Sequence, residues 1–65
     1  MSIGFEDVEI ILHQFRTAST LAILRQRGRD FSTKIQEIEE SPTQHVRAIH
    51  IRNLYRLRLR EFHYG

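Results

Sequence analysis

The sequence predicts a small α+β fold in which two helices pack on a small antiparallel sheet. Three observations predict it: a β-branched apolar run at 8–12, two stretches whose apolar residues recur three or four apart, and an alternation of apolar and basic residues over 49–60. With 65 residues, the chain has room for one hydrophobic core only. We therefore expect a single small domain spanning 1–65.

The first predicted elements are a strand and a helix. The run from Val8 to Leu12 is compatible with a short strand, although it could equally begin the helix that follows. From Phe15 to Arg27 the apolar residues keep helical spacing, and Gly28 stands where a glycine commonly follows the last helical residue. The pattern predicts a helix over 15–27.

A second helix is predicted over 30–40. Its apolar residues share one helical face, while charged and amide side chains cover the rest. The apolar residues are Phe31, Ile35 and Ile38. Since Pro42 disfavours helical backbone at the residue before it, this helix should stop at Ser41.

The last third of the chain carries two conflicting signals, of which the first favours strands. Apolar residues fall on odd positions and polar residues on even positions. The odd set is Ile49, Ile51, Tyr55, Leu57 and Leu59, and the even set is His50, Arg52, Arg56, Arg58 and Arg60. A bulge or corner at Asn53 would explain the one fault in this alternation. We favour strands here because the period of two separates charged from apolar side chains more cleanly.

The alternative is an all-α fold, either a helical hairpin or a three-helix arrangement, in which 42–62 forms one long helix. The segment Ser41-Pro42-Thr43-Gln44 has the residue types of a helix start. The apolar stripe of that helix would comprise Ala48, Ile51, Tyr55, Leu59 and Phe62. The same stripe contains Arg58, and Val46, Ile49 and Leu57 point to the opposite side.

The composition indicates a protein of a reducing compartment or one that a partner stabilises. The chain has no cysteine, so neither disulfides nor thiolate metal sites can stabilise it. Its longest apolar runs are far too short to cross a bilayer, and the N-terminus lacks the features of a signal peptide. We expect a cytoplasmic protein without membrane insertion.

The basic charge is concentrated towards the C-terminus. Residues 1–44 hold five Lys/Arg and seven Asp/Glu, whereas residues 45–65 hold five arginines and one glutamate. Nine of the ten basic residues are arginine, whose planar guanidinium forms bidentate contacts with phosphate or carboxylate. This pattern is typical either of a phosphate-binding surface or of a solvated basic face.

A family resemblance rests on two segments. A helix end that reads Glu40-Ser41-Pro42 is followed, after a connection, by Leu54-Tyr55-Arg56-Leu57-Arg58-Leu59. This order resembles the RelE/ParE-type toxins of bacterial toxin–antitoxin pairs, which implies an α+β fold, a ribosome-dependent messenger RNA endonuclease and a cognate antitoxin as partner. Arg60 replaces the turn glycine of that family, whose members continue beyond the position of Gly65. We therefore expect the endonuclease activity to be weak or lost.

The resemblance also implies a site on the C-terminal strand. Arg56 and Arg58 on one strand face would stabilise charge that develops on the scissile phosphate, and His63 would act as acid or base. RNA or the ribosome would be bound by Arg47, Arg52, Arg56, Arg58 and Arg60. We expect no cofactor and no metal, because His45 and His50 have neither helical nor same-face strand spacing.

A second functional hypothesis accompanies the all-α alternative. In this hypothesis the protein is a small interaction or assembly subunit that docks on a larger protein complex through its C-terminal helix. Such a chain could draw on its partner for the core that it cannot build alone. Self-association into a homo-oligomer and nonspecific binding of nucleic acid are further alternatives.

Overall fold

A computed structural model describes residues 5–64, which form four helices joined by short connections. The helices are α1 (Phe5–Arg16), α2 (Leu21–Asp30), α3 (Ser32–Glu40) and α4 (His45–Tyr64). None of these residues lies in a strand, so the predicted α+β fold with an antiparallel sheet is wrong. The all-helical alternative gives the correct class, with four helices where two or three were expected.

The predicted strand at 8–12 lies within α1. Helical spacing places Val8, Ile11 and Phe15 on the buried face of α1, where they are 4%, 1% and 0% exposed. Ile10, which a strand would place on the face opposite Ile11, is half exposed. The apolar residues of this segment therefore follow the helical period, and the β-branched composition does not decide the structure.

The predicted helix over 15–27 is interrupted, because α1 ends at Arg16 and α2 begins at Leu21. Thr20 has extended backbone (φ −136°, ψ 162°), and its hydroxyl accepts a hydrogen bond from the backbone N–H of Ile23 at 3.2 Å. This is the geometry of an N-cap, which satisfies one of the unpaired N–H groups at a helix start. Since α2 continues to Asp30, Gly28 lies inside a helix and does not end one.

The prediction of a helix over 30–40 is confirmed in substance by α3. Ile35 and Ile38 are buried. Phe31, the residue that connects α2 to α3, packs against the core. Ser41 has extended backbone (φ −75°, ψ 128°), as expected for the residue before Pro42. The proline therefore separates α3 from α4.

The last third of the chain forms the helix α4, and the predicted strands are wrong. A helix satisfies its backbone hydrogen bonds internally, whereas a strand needs neighbouring strands, which residues 5–64 do not supply. As a helix, this segment buries Ala48 and Ile51 almost completely and packs Tyr55, Leu59 and Phe62 against the core. The alternating arginine and leucine residues are therefore distributed around α4.

The core is organised around α4, which contacts each of the other three helices. All four helices contribute to it, together with the connection between α1 and α2. Its buried residues are Val8, Ile11, Phe15, Ala18, Leu24, Ile35, Ile38, Ala48 and Ile51. Because one side of α4 is fully used in this packing, the opposite side faces away from the protein.

Candidate functional site

The face of α4 that points away from the core carries a line of aliphatic side chains. Val46, Ile49 and Leu57 are 54%, 53% and 53% exposed. Steps of three and four residues, running through the exposed Asn53, place them along one side of the helix. We call Val46, Ile49, Asn53 and Leu57 the outer stripe. Ile10 in α1 and Ile23 in α2 are also exposed, but each belongs to a different helix and single exposed aliphatic residues are ordinary.

Two arginines lie beside the outer stripe. Arg56 and Arg60 border a shallow depression together with Asn53 and Leu57. Both arginines are exposed, and neither guanidinium makes a hydrogen bond or ion pair with any residue of 5–64. The outer stripe is therefore an apolar strip with two available cations on one side.

Arg58 occupies the other side of α4. Its guanidinium donates from Nε to the carbonyl oxygen of Phe15 at 3.2 Å and from Nη2 to the carbonyl oxygen of Ala18. The same group pairs with Glu61 through Nη1, and its carbon Cζ lies 4.9 Å from the centroid of the Phe62 ring. With a side chain only 21% exposed, Arg58 has most of its donors engaged within the protein.

Arg27 makes a similar set of contacts from α2. Its Nη1 donates to the carbonyl oxygen of Gln14 at 2.7 Å and to the hydroxyl of Thr17 at 3.2 Å. The last carbonyls of a helix lack intrahelical partners and carry partial negative charge. Arg27 and Arg58 therefore cap the C-terminal end of α1 from two different helices.

The predicted row of Arg56, Arg58 and Arg60 on one strand face is wrong, because α4 is a helix and Arg58 points elsewhere. Arg56, Arg60 and His63 do lie together, around a second shallow depression that includes Leu59. The structure thus brings two predicted binding arginines next to the predicted acid or base. Catalysis by Arg56, Arg58 and His63 stays a prediction.

The remaining predicted binding residues lie nearer the start of α4. Arg52 forms a salt bridge with Glu39 of α3, with 2.8 Å between Nη2 and Oε1. Arg47 lies in the first turn of α4 and is partly buried. The five predicted arginines therefore do not form one continuous surface, and RNA binding by them stays a prediction.

The described residues offer no arrangement for metal binding. No group of three or more His, Cys, Asp or Glu side chains within 5–64 is placed to hold a metal ion.

None of the helices in the described part of the chain is long and apolar enough to span a membrane. Among the described residues, Lys34 shows a clear pKa shift: its pKa is raised above 10.5 by its hydrogen bond and charge interaction with Asp7 and, less strongly, by Glu37.

The sequence contained a signal for the position of Arg58 that the predicted strand concealed. Arg58 lies within the apolar stripe of the helical alternative, between Tyr55 and Phe62. A charged residue in such a position must find hydrogen-bond acceptors inside the protein. The availability of the Phe15 and Ala18 carbonyl oxygens as acceptors could not be anticipated, because the break between α1 and α2 was not predicted.

Comparisons with protein-family models, with curated proteins and with solved structures find no match for this chain. The resemblance to RelE/ParE-type toxins therefore stays a prediction, and the α+β fold that it implies is wrong.

Proposed function

We propose that this protein is a helical interaction module that docks on a larger protein through the outer stripe of α4. The observation that carries the proposal is the alignment of three half-exposed aliphatic side chains, Val46, Ile49 and Leu57, along one side of a 20-residue helix. Burial of apolar surface is favourable by about 25 cal/mol per Å², so a partner that covers this strip gains affinity.

The expected partner is an acidic amphipathic helix. A narrow apolar strip along a helix matches the apolar strip of a second helix, as in other helix-in-groove and coiled-coil contacts. Arg56 and Arg60 have no partner within 5–64 and can form bidentate contacts with carboxylates beside that strip. Asn53 interrupts the aliphatic residues, and a polar residue at such a position favours one register of pairing.

Charge argues against a second copy of this chain as the occupant. α4 contains five arginines and only one acidic residue, Glu61, so two α4 helices in contact would bring like charges together. An RNA backbone would pair with Arg56 and Arg60 but leave the aliphatic side chains in water. A lipid surface would cover the aliphatic side chains but bury the amide of Asn53 without a hydrogen-bond partner.

The proposal is tested by cross-linking and capture of partners from lysate of the source organism, with and without nuclease treatment. The variant Ile49→Gln/Leu57→Gln removes two of the three aliphatic side chains of the outer stripe while keeping good helix formers and the net charge. The matched control Ile10→Gln/Ile23→Gln makes the same replacement at exposed positions of α1 and α2. Circular dichroism verifies that both variants keep their helices.

The expected result is a protein that cross-links to α4 through an acidic amphipathic segment. Its recovery should be equal with the wild type and with the control variant, and lost with Ile49→Gln/Leu57→Gln. Equal recovery with both double variants would contradict the proposal. Binding that disappears after nuclease treatment would assign the surface to RNA, and a dimer of the isolated chain that Leu57→Gln dissociates would assign it to a second copy.

A further inference from the structure

A cleft with a volume of about 700 Å³ lies between α2, α3 and α4, on the side of α4 opposite the outer stripe. Its floor includes Phe15, Ile35, Ile51 and the ring of Tyr55. Small-molecule sites have volumes of about 300 to 1,000 Å³, apolar or aromatic floors and a few polar groups. The cleft has the size and the floor of such a site.

The aromatic part of the floor is held in place by packing. Phe15 is fully buried, and the centroids of the Phe15 and Tyr55 rings are 5.0 Å apart. The ring of Tyr55 also lies directly against Gly28, where a Cβ atom would be 2.6 Å from the Tyr55 hydroxyl oxygen. This hydroxyl makes no hydrogen bond with any residue of 5–64 and is available to a ligand.

The two edges of the cleft differ in their charge. The α2 edge carries Arg25 and Arg29. Arg25 makes no hydrogen bond or ion pair within the described part of the chain, and Arg29 donates one, from Nη2 to the side-chain oxygen of Gln26 at 3.0 Å. Both guanidinium groups therefore have donors to spare.

The acidic groups of the other edge already have partners. Glu39 is paired with Arg52, and Glu40 accepts a hydrogen bond from the side-chain amide of Gln36 at 3.4 Å. Three arginines and two glutamates line the cleft, so its formal charge is positive. An anionic group would therefore be favoured, and the α2 edge is where it would find unpaired donors.

We infer that the cleft binds a small apolar carboxylate, with its hydrocarbon body on the accessible part of Tyr55, which the buried Phe15 supports, and its carboxylate between Arg25 and Arg29. The Tyr55 hydroxyl supplies one further donor near the floor. A planar guanidinium matches the two oxygens of a carboxylate, and an aromatic floor favours a flat ligand body. This inference does not depend on the docking function, because Tyr55 and the outer stripe face opposite sides of α4.

The test is a titration of the full chain with naphthoate and, separately, octanoate, followed by amide chemical shifts in NMR spectra. Saturable shifts confined to residues of the cleft, such as Gly28, Ser32 and Tyr55, are expected with a dissociation constant on the order of 1 mM. Comparison of the two acids decides between an aromatic and an aliphatic ligand body. Naphthylmethanol, which lacks the charge, should bind at least about tenfold more weakly.

Variants distinguish binding in the cleft from nonspecific binding. Arg25→Gln/Arg29→Gln should weaken naphthoate at least about tenfold, to the level of naphthylmethanol. The matched control Arg56→Gln/Arg60→Gln, which removes two exposed arginines from α4, should bind as the wild type does. Circular dichroism verifies that each variant is folded.

Three results would overturn the inference. One is unchanged affinity of the Arg25→Gln/Arg29→Gln variant for naphthoate. The second is binding of naphthylmethanol or naphthylmethylammonium as tight as that of naphthoate, since neither can use the two arginines. The third is an absence of saturable shifts with both acids, or shifts centred on the outer stripe.

Discussion

The guanidinium of Arg58 in α4 donates a hydrogen bond to the carbonyl oxygen of Ala18, forty residues earlier in the chain. A second donor of the same group reaches the carbonyl of Phe15 at the end of α1. These contacts satisfy backbone acceptors in the last turn of α1 and in the connection that follows it. Arg58 therefore joins the first and last helices of the described chain.

Replacement of Arg58 by methionine should destabilise the protein. The change keeps much of the hydrocarbon stem but leaves the carbonyls of Phe15 and Ala18 without this donor. Loss of hydrogen bonds to a charged group costs about 1.5 to 3 kcal/mol, and we expect a decrease of that size in the free energy of unfolding. Urea denaturation followed by circular dichroism measures it.

The control is Arg60→Met, made two residues further along the same helix. Arg60 is exposed and makes no hydrogen bond or ion pair within 5–64, so its replacement should change stability by less than about 0.5 kcal/mol. Equal effects of the two substitutions would show that the Arg58 contacts do not stabilise the fold.

The close approach of Tyr55 to Gly28 predicts an overpacking effect. A Cβ at Gly28 would lie 2.6 Å from the Tyr55 hydroxyl oxygen and 2.7 Å from the ring carbon Cζ. We expect Gly28→Ala to destabilise the protein even though alanine is the better helix former by about 1 kcal/mol, because overpacking costs about 1 to 3 kcal/mol. Thermal unfolding of the variant and the wild type shows whether the substitution lowers or raises the stability.

A double-mutant cycle identifies the cause. In the background Tyr55→Leu the ring is gone, so Gly28→Ala should become stabilising by about 0.5 to 1 kcal/mol. If Gly28→Ala changes the stability equally in both backgrounds, contact with Tyr55 is not the cause of the destabilisation.

The ion pair of Lys34 predicts a loss of stability at high pH. Lys34 lies 3.4 Å from Asp7, joining α3 to α1, and this contact raises the pKa of Lys34 above 10.5. A group whose pKa is raised by folding contributes its stabilisation below its ordinary pKa and loses it as the pH rises through the raised value. Unfolding should therefore become easier above about pH 10.5.

Lys34→Arg provides the comparison, since arginine stays charged in this range and every other residue is the same in both proteins. The wild type should lose more stability than the Lys34→Arg variant as the pH rises. Parallel decreases in the two proteins would contradict the assignment to Lys34. Both partners are largely exposed, so added salt should reduce the difference.

The sequence predicted α3 correctly for a physical reason that is local. The spacing of Phe31, Ile35 and Ile38 has only one periodic interpretation, and Pro42 acts on the residue directly before it. Neither signal depends on distant parts of the chain.

The structure of α4 could not be decided in this way. Alternation of arginine and leucine over 56–60 fits a strand, while Ala48, Ile51 and Phe62 fit a helix. The choice depends on whether other strands are available to pair with, which is a property of the whole fold. The predicted strand at 8–12 and the predicted sheet supported each other, and both were wrong.

The candidate site was recognised only in part. The helical alternative already placed Val46, Ile49 and Leu57 opposite the apolar stripe, which is where the outer stripe lies. The cleft under Arg25 and Arg29 was not predicted, because it depends on the separation of α1 from α2 at Thr20. That break is concealed in the sequence by apolar residues that keep their helical spacing across it.

Binding of a synthetic acidic amphipathic helix tests the docking proposal most directly. The probe has leucine along one face and glutamate beside it, and its matched partner carries lysine at the glutamate positions. We predict that the wild type and Ile10→Gln/Ile23→Gln bind the glutamate peptide at least about tenfold more tightly than the lysine peptide. Ile49→Gln/Leu57→Gln should lose this binding. Equal affinities for the two peptides, or full binding by the Ile49→Gln/Leu57→Gln variant, would contradict the account.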